Sequence, residues 1–189
     1  SEMCIRDRFK PLTTYSELQS AIASNIPNAT YICDGLTNQP IFTQTLIVPY
    51  QGLSLQALGN TTQLVNTVIQ TQSASPMLID GFNFSNGVGY SSGLNFQGVT
   101  AIGSTILVRN CSFNNSTISN NLDGSVGTAV IFENCNFNGS CVFNLYTLYA
   151  PFLFINCDFS YGTNTPLIGA TIFTGLGNNN VQIQNCRNV

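Results

Sequence analysis

Two stretches decide the fold: Ile106-Leu-Val-Arg-Asn-Cys-Ser-Phe113 and Val130-Ile-Phe-Glu-Asn-Cys-Asn-Phe137. They are copies of one motif: apolar, any, apolar, any, Asn or Gly, apolar, any, Phe. Met77-Leu-Ile-Asp-Gly-Phe-Asn-Phe84 precedes them, and Phe152-Leu-Phe-Ile-Asn-Cys-Asp-Phe159 follows. A last copy, Val181-Gln-Ile-Gln-Asn-Cys-Arg-Asn188, lacks the Phe. Alternating apolar positions mean strands. The central residue falls at Gly81, Asn110, Asn134, Asn156 and Asn185, at spacings of 29, 24, 22 and 29. Gly and Asn adopt a left-handed backbone most readily. One such residue turns the chain and resets the alternation, so Val108 and Cys111 both point inward. Further apolar segments, Leu94–Ala101, Cys141–Leu145 and Leu167–Ile172, follow the earlier copies. Three short strands every 22–29 residues make one coil of a parallel β-helix.

The upstream sequence fits the same plan. Thr14 and Glu17 form a capping box. Leu18, Ala21 and Ile22 share one helical face, and Pro27 lies beyond the helix end. Strand-like stretches follow at Tyr31–Cys33, Thr45–Val48, Leu53–Leu58 and Val65–Gln70. The expected fold is all-β: a single right-handed parallel β-helix of about six to seven coils with a short N-terminal capping helix.

This pattern resembles the right-handed parallel β-helix of the pectin-lyase-like superfamily. The style of its repeats is closest to the polymorphic-outer-membrane-protein type of surface β-helix. The resemblance runs from about Thr14 to the end. It implies that Gly81, Asn110, Asn134, Asn156 and Asn185 form a structural asparagine ladder, with side-chain amides bonded along the stack.

Coils stacked about 4.8 Å apart turn each motif position into a column. Phe84, Phe113, Phe137 and Phe159 form an inner aromatic column. Ile79, Val108, Phe132, Phe154 and Ile183 continue the core. Cys111, Cys135, Cys157 and Cys186 form an inner Cys column. A linear stack is the wrong shape for tetrahedral zinc, so these cysteines read as small apolar filler, with disulfides between coils as the alternative. Cys33 and Cys141 lie outside the column.

The outward columns bear on function. Asp80, Arg109, Glu133, Ile155 and Gln184 share one, which sets Arg109 between two acids. Pectate-lyase-like enzymes hold calcium with surface acids and use an Arg or Lys as base. By that resemblance Arg109 with Asp80 and Glu133 is the catalytic candidate, and calcium enters only with it. Two carboxylates are few for Ca²⁺, which takes 6–8 oxygens. The plainer reading is a charge ladder that pins register. Asp158 above Arg187 is a second such pair. Leu78, Leu107, Ile131 and Leu153 make an outward apolar column. It is either a binding surface or lies under a loop such as Asn114–Val126.

Charged residues are 7% of the 189-residue chain, and the net charge is −3. Nothing points to nucleic acid. No apolar run is long enough for a transmembrane helix. With no His in the chain, His-based triads and His-ligated metals are excluded, and no cofactor or metal is expected. Residues 1–10 hold five of the thirteen charges. The run Met3-Cys-Ile-Arg-Asp-Arg8 resembles a translated sequencing adapter, so 1–10 reads as non-native. The expectation for 11–189 is one β-helix domain, truncated at its C-terminus. Asn, Ser and Thr number 24, 17 and 19. Seven Asn-x-Ser/Thr sequons fall at Asn28, Asn60, Asn83, Asn110, Asn114, Asn115 and Asn138.

The family's hydrolase branch uses clustered Asp, a His and an Arg-Ile-Lys element, and none is present. The expected role is therefore non-catalytic: a secreted or cell-surface domain for adhesion, or for binding carbohydrate or a surface protein. The alternative is a polysaccharide lyase or glycoside hydrolase with atypical or missing catalytic coils. A structural stalk is a third class.

Overall fold

The computed structural model describes residues 10–38, 42–48, 52–59, 62–71, 73–74, 76–86, 92–100, 105–123, 129–139, 141–145, 151–161, 165–166 and 181–188. Most of the proposed adapter (1–9, with Cys4), Asn60 and the apolar segment Leu167–Ile172 lie outside them.

The chain enters through one helix, α1 (Tyr15–Ala23). The Glu17 amide donates to Thr14 Oγ1 at 3.2 Å, and the Glu17 carboxylate accepts from the amides of Thr13 and Thr14 at 2.9 and 3.1 Å. Both halves of the capping box are thus made, leaving few of the first turn's donors unpaired. Leu18 and Ile22 are buried, and α1 packs on the first coil.

Coils follow in order. The first is β1 (Ala29–Asp34), β2 (Thr37–Asn38) and β3 (Gln44–Val48). The second is β4 (Leu53–Leu58), β5 (Gln63–Val65) and β6 (Thr67–Thr71), with the two-residue β7 (Ser73–Ala74) behind it. The third is β8 (Met77–Asp80), β9 (Asn83–Ser85) and β10 (Gly93–Thr100). The fourth is β11 (Thr105–Arg109), β12 (Ser112–Asn114) and β13 (Thr117–Asp123). The fifth is β14 (Ala129–Glu133), β15 (Asn136–Asn138) and β16 (Val142–Leu145). Then come β17 (Phe152–Ile155), β18 (Asp158–Tyr161), β19 (Thr165–Pro166) and β20 (Val181–Gln184).

Each strand pairs with its counterpart one coil away. The first sheet runs β1-β4-β8-β11-β14-β17-β20, the second β2-β5-β9-β12-β15-β18-β19, the third β3-β6-β10-β13-β16 with β7 on β10. All pairings are parallel except β18 with β19. The fold is a parallel β-solenoid. The motif columns hold: Ile106 pairs Met77 and Val130, and Phe113 pairs Phe84 and Phe137.

Two columns of left-handed residues make the corners. The first, between the first and second sheets, is Gly81 (φ 82°), Asn110 (52°), Asn134 (53°), Asn156 (52°) and Asn185 (53°). It puts Val108 and Cys111 both inside, at 0% and 1% exposure. The second corner, between the second and third sheets, holds Asn66 (49°), Asn115 (51°) and Gly139 (67°). The left-handed φ favours glycine at 139, and a Cβ there would also push the Asn115 amide aside.

Phenylalanine is the commonest residue of the core among the described residues. Phe84, Phe113, Phe137 and Phe159 stack with centroids 4.9, 5.1 and 5.0 Å apart and nearly parallel planes. Phe132 and Phe154 stack beside them at 5.1 Å. The coil repeat sets this spacing, and Phe137 also meets Phe132 and Phe154 edge-on. The expected core column of Ile79, Val108, Phe132 and Phe154 is buried, while Ile183 remains 37% exposed.

Candidate functional site

The column of Asp80, Arg109 and Glu133 forms in register. Its side chains divide unequally. Arg109 gives Nη2 and Nε to Asp80 Oδ2 at 2.8 and 2.9 Å. Asn110 Nδ2 donates to the other Asp80 oxygen at 2.8 Å. Arg109 does not bridge to Glu133. Nε and Nη2 are both spent on one carboxylate, whereas a general base must point a free nitrogen at its substrate. This geometry clasps two coils. The same clasp recurs at Asp158, which accepts Arg187 Nη2 at 2.9 Å and Asn188 Nδ2 at 2.5 Å. Among the described residues no group of three or more His, Cys, Asp or Glu is placed to hold a metal ion.

Leu78, Leu107, Ile131 and Leu153 stand in one outward column on the first sheet, all half-buried. Residues 112–114 and 117–123, expected in part as a loop over this column, are instead strands of the second and third sheets. A groove of about 390 Å³ lies at the column's start, lined chiefly by Gly52, Leu53, Pro76, Met77, Leu78 and Leu107.

The Asn column is exposed. One amide-to-amide bond joins it, Asn134 Nδ2 to Asn110 Oδ1 at 3.5 Å, and Asn110 continues to Asp80. The column exists chiefly because the corner needs left-handed residues; the side-chain bonds are secondary. Asn110, with its Nδ2 engaged by Asp80, is also a poorly placed glycan acceptor.

The Cys column is buried at Cys111, Cys135 and Cys157 and half-buried at Cys186, all as free thiols. Cys135, Cys157 and Cys186 each donate at 3.5 Å to a carbonyl on the preceding coil, of Val108, Phe132 and Phe154. The preceding coils fill the equivalent place with Leu36, Thr62 and Phe82. The column therefore accepts filler of several shapes. Burial pushes the Cys135 thiol up, and likewise Cys33 to about 12 and Cys141 to about 11.

The sequence reading missed the outer face of the second sheet. One column reads Thr37, Gln63, Asn83, Ser112, Asn136, Asp158. The column beside it reads Val65, Ser85, Asn114, Asn138, Ser160. Amides and hydroxyls fill nearly all of it. Ser160 Oγ bonds Asn138 Oδ1 at 2.7 Å, and Asn114 and Asn138 both reach Ser112 Oγ at 3.5 Å. Asn136 stands exposed in the middle. The two charges of the first column, Asp158 and, one coil on, Arg187, pair with each other, and Asn188 also donates to Asp158. The third sheet continues the theme: Asn95 bonds Gln70 at 3.3 Å and accepts from Ser119 at 3.1 Å. The signal lay at the two positions flanking each Phe, which hold Asn, Ser or Asp in four successive copies.

Among the described residues no helix is long and apolar enough to cross a membrane. Compared with protein-family models, curated proteins and solved structures, the chain matches none of them.

Proposed function

We propose that the chain is a non-catalytic, adhesion-type domain of a secreted or cell-surface protein, which binds uncharged, hydroxyl-rich carbohydrate along the outer face of its second sheet. The observation that carries this is the lattice of Asn and Ser side chains in the columns of Ser112–Asn136 and Ser85–Asn114–Asn138–Ser160. Amides and hydroxyls both donate and accept, as sugar hydroxyls do. Side-chain bonds within the lattice already orient several of them, which lowers the cost of ordering on binding. A rigid solenoid repeats the contacts at coil spacing, so single weak bonds of about 0.5–1.5 kcal/mol add up along a polymer. The resemblance to pectin-lyase-like surface β-helices supports the same reading.

The experiment is a binding titration with neutral and uronic polysaccharides at low and high salt. The expected result is retention of a neutral polymer with little salt dependence, since no ion pair is involved. The triple variant Ser112→Ala, Asn136→Ala, Asn138→Ala loses at least about tenfold in affinity. Binding of uronic polymers alone, abolished by salt, overturns the proposal.

A further inference from the structure

Six described cysteines are free, and five of them are buried. The sixth, Cys186, is half-buried; its thiol meets the Phe154 and Gln184 carbonyls at 3.5 and 3.4 Å. Its Sγ accepts the Cys157 amide at 3.3 Å. The two coils are hydrogen-bonded at this point: Arg187 N–H donates to the Cys157 carbonyl at 2.9 Å, and Phe159 N–H to the Arg187 carbonyl at 3.1 Å. The bridge pairs Asp158 with Arg187, so Cys157 and Cys186 are register neighbours. Their Cα atoms are then about one strand spacing apart, roughly 4.8 Å, inside the 4.4–6.8 Å that disulfides span. Cys111–Cys135 and Cys135–Cys157 share this register, but in each of those pairs both thiols are buried at 0–1% exposure, whereas Cys186 gives the last pair one member that a small disulfide can reach.

We propose that Cys157 and Cys186 are a thiol pair that an external low-molecular-weight disulfide converts to a cross-link between neighbouring coils. The Cys186 thiolate attacks one sulfur of the small disulfide. A mixed disulfide forms, and one small thiol leaves. Cys157 loses its proton and attacks the Cys186 sulfur, and the second small thiol leaves. The pair gives up two electrons and two protons, which reduce the small disulfide to two thiols. Reaching Cys186 requires a turn of the Cys157 side chain away from the Phe132 and Ile155 carbonyls that it now meets at 3.5 Å. Desolvation raises the Cys186 thiol above its ordinary range, so the cross-link forms faster as pH rises. The proposed secreted location matters only for where the oxidant is met. The chemistry is tested on the purified chain, so the two can fail separately.

The folded chain is incubated with oxidised glutathione, quenched with acid, and mapped without reduction. The expected result is a mass loss of two hydrogens and one linked peptide pair, Cys157 with Cys186. The melting midpoint of the cross-linked chain rises by about 5–10 °C. Cys186→Ser abolishes the bond, and Cys157→Ser leaves glutathione attached at Cys186. Glutathione remaining on Cys186 of the unsubstituted chain overturns the proposal. So does a bond between other cysteines, or an unchanged mass in the folded state.

Discussion

At the scale of one residue, Asn134 shows why a corner is specific. Its φ of 53° is strained for a side chain branched at Cβ. Asn134→Val should cost about 1–3 kcal/mol by chemical denaturation. Asn134→Gly separates backbone from amide. Gly81 already fills this column, and the amide bond that would be lost is long at 3.5 Å. The glycine variant should therefore stay within about 1 kcal/mol of the parent. A glycine variant as unstable as the valine one would mean that the amide bonds, not the backbone turn, hold the corner. The first corner was legible because Asn or Gly recurs at the same motif position in all five copies. The second was equally written, in Leu64-Val-Asn66, Phe113-Asn-Asn115 and Phe137-Asn-Gly139. It was obscured because Asn is common throughout the chain. Thiol burial gives a further test at this scale. Among the described cysteines, only Cys186 should label in the folded state with a thiol reagent; rapid labelling of Cys135 contradicts an inner column.

At the scale of the element, two features differ in weight. The α1 cap holds the Glu17 carboxyl below its ordinary value near 4.5, through the amides of Thr13 and Thr14. A carboxyl lowered on folding stabilises above its unfolded value, and that contribution is lost as pH falls through the folded value. The increase in helix fraying as pH falls below about 4.5, followed by proteolysis within residues 10–25, should therefore be smaller in Glu17→Gln, which frays more than the parent at neutral pH. Thr14→Ala should cost about 1 kcal/mol at neutral pH. The Asp80–Arg109 clasp is partly exposed, with the Arg109 side chain at 40%. Arg109→Ala should cost no more than about 1 kcal/mol. It should also leave polysaccharide binding unchanged. The column itself was legible from the repeat. Which acid Arg109 chooses was not, because register sets only the neighbours and the side-chain direction decides between them.

At the scale of the whole molecule, the register of the later coils follows from the repeat, since four copies share the same eight-residue frame. Packing then fixes the rest: Phe137 stacks between Phe113 and Phe159 and meets Phe132, Phe143 and Phe154 edge-on. Phe137→Ala should cost about 3–5 kcal/mol, read as a lowered denaturation midpoint. The candidate surface was far less legible. Inner positions must be apolar and reveal themselves by type, whereas outer positions need only be soluble. Asn83, Ser112, Asn136 and Asp158 share only a small polar character, which also occurs at loop positions throughout this Asn- and Ser-rich chain.

One titration tests binding at the outer face of the second sheet: neutral polysaccharide against the parent, the Ser112/Asn136/Asn138 triple alanine variant and Leu107→Ser. The parent should bind, the triple variant should bind at least about tenfold more weakly, and Leu107→Ser should bind as the parent does. Binding that survives the triple variant but is lost with Leu107→Ser contradicts the proposal and moves the site to the apolar column of the first sheet.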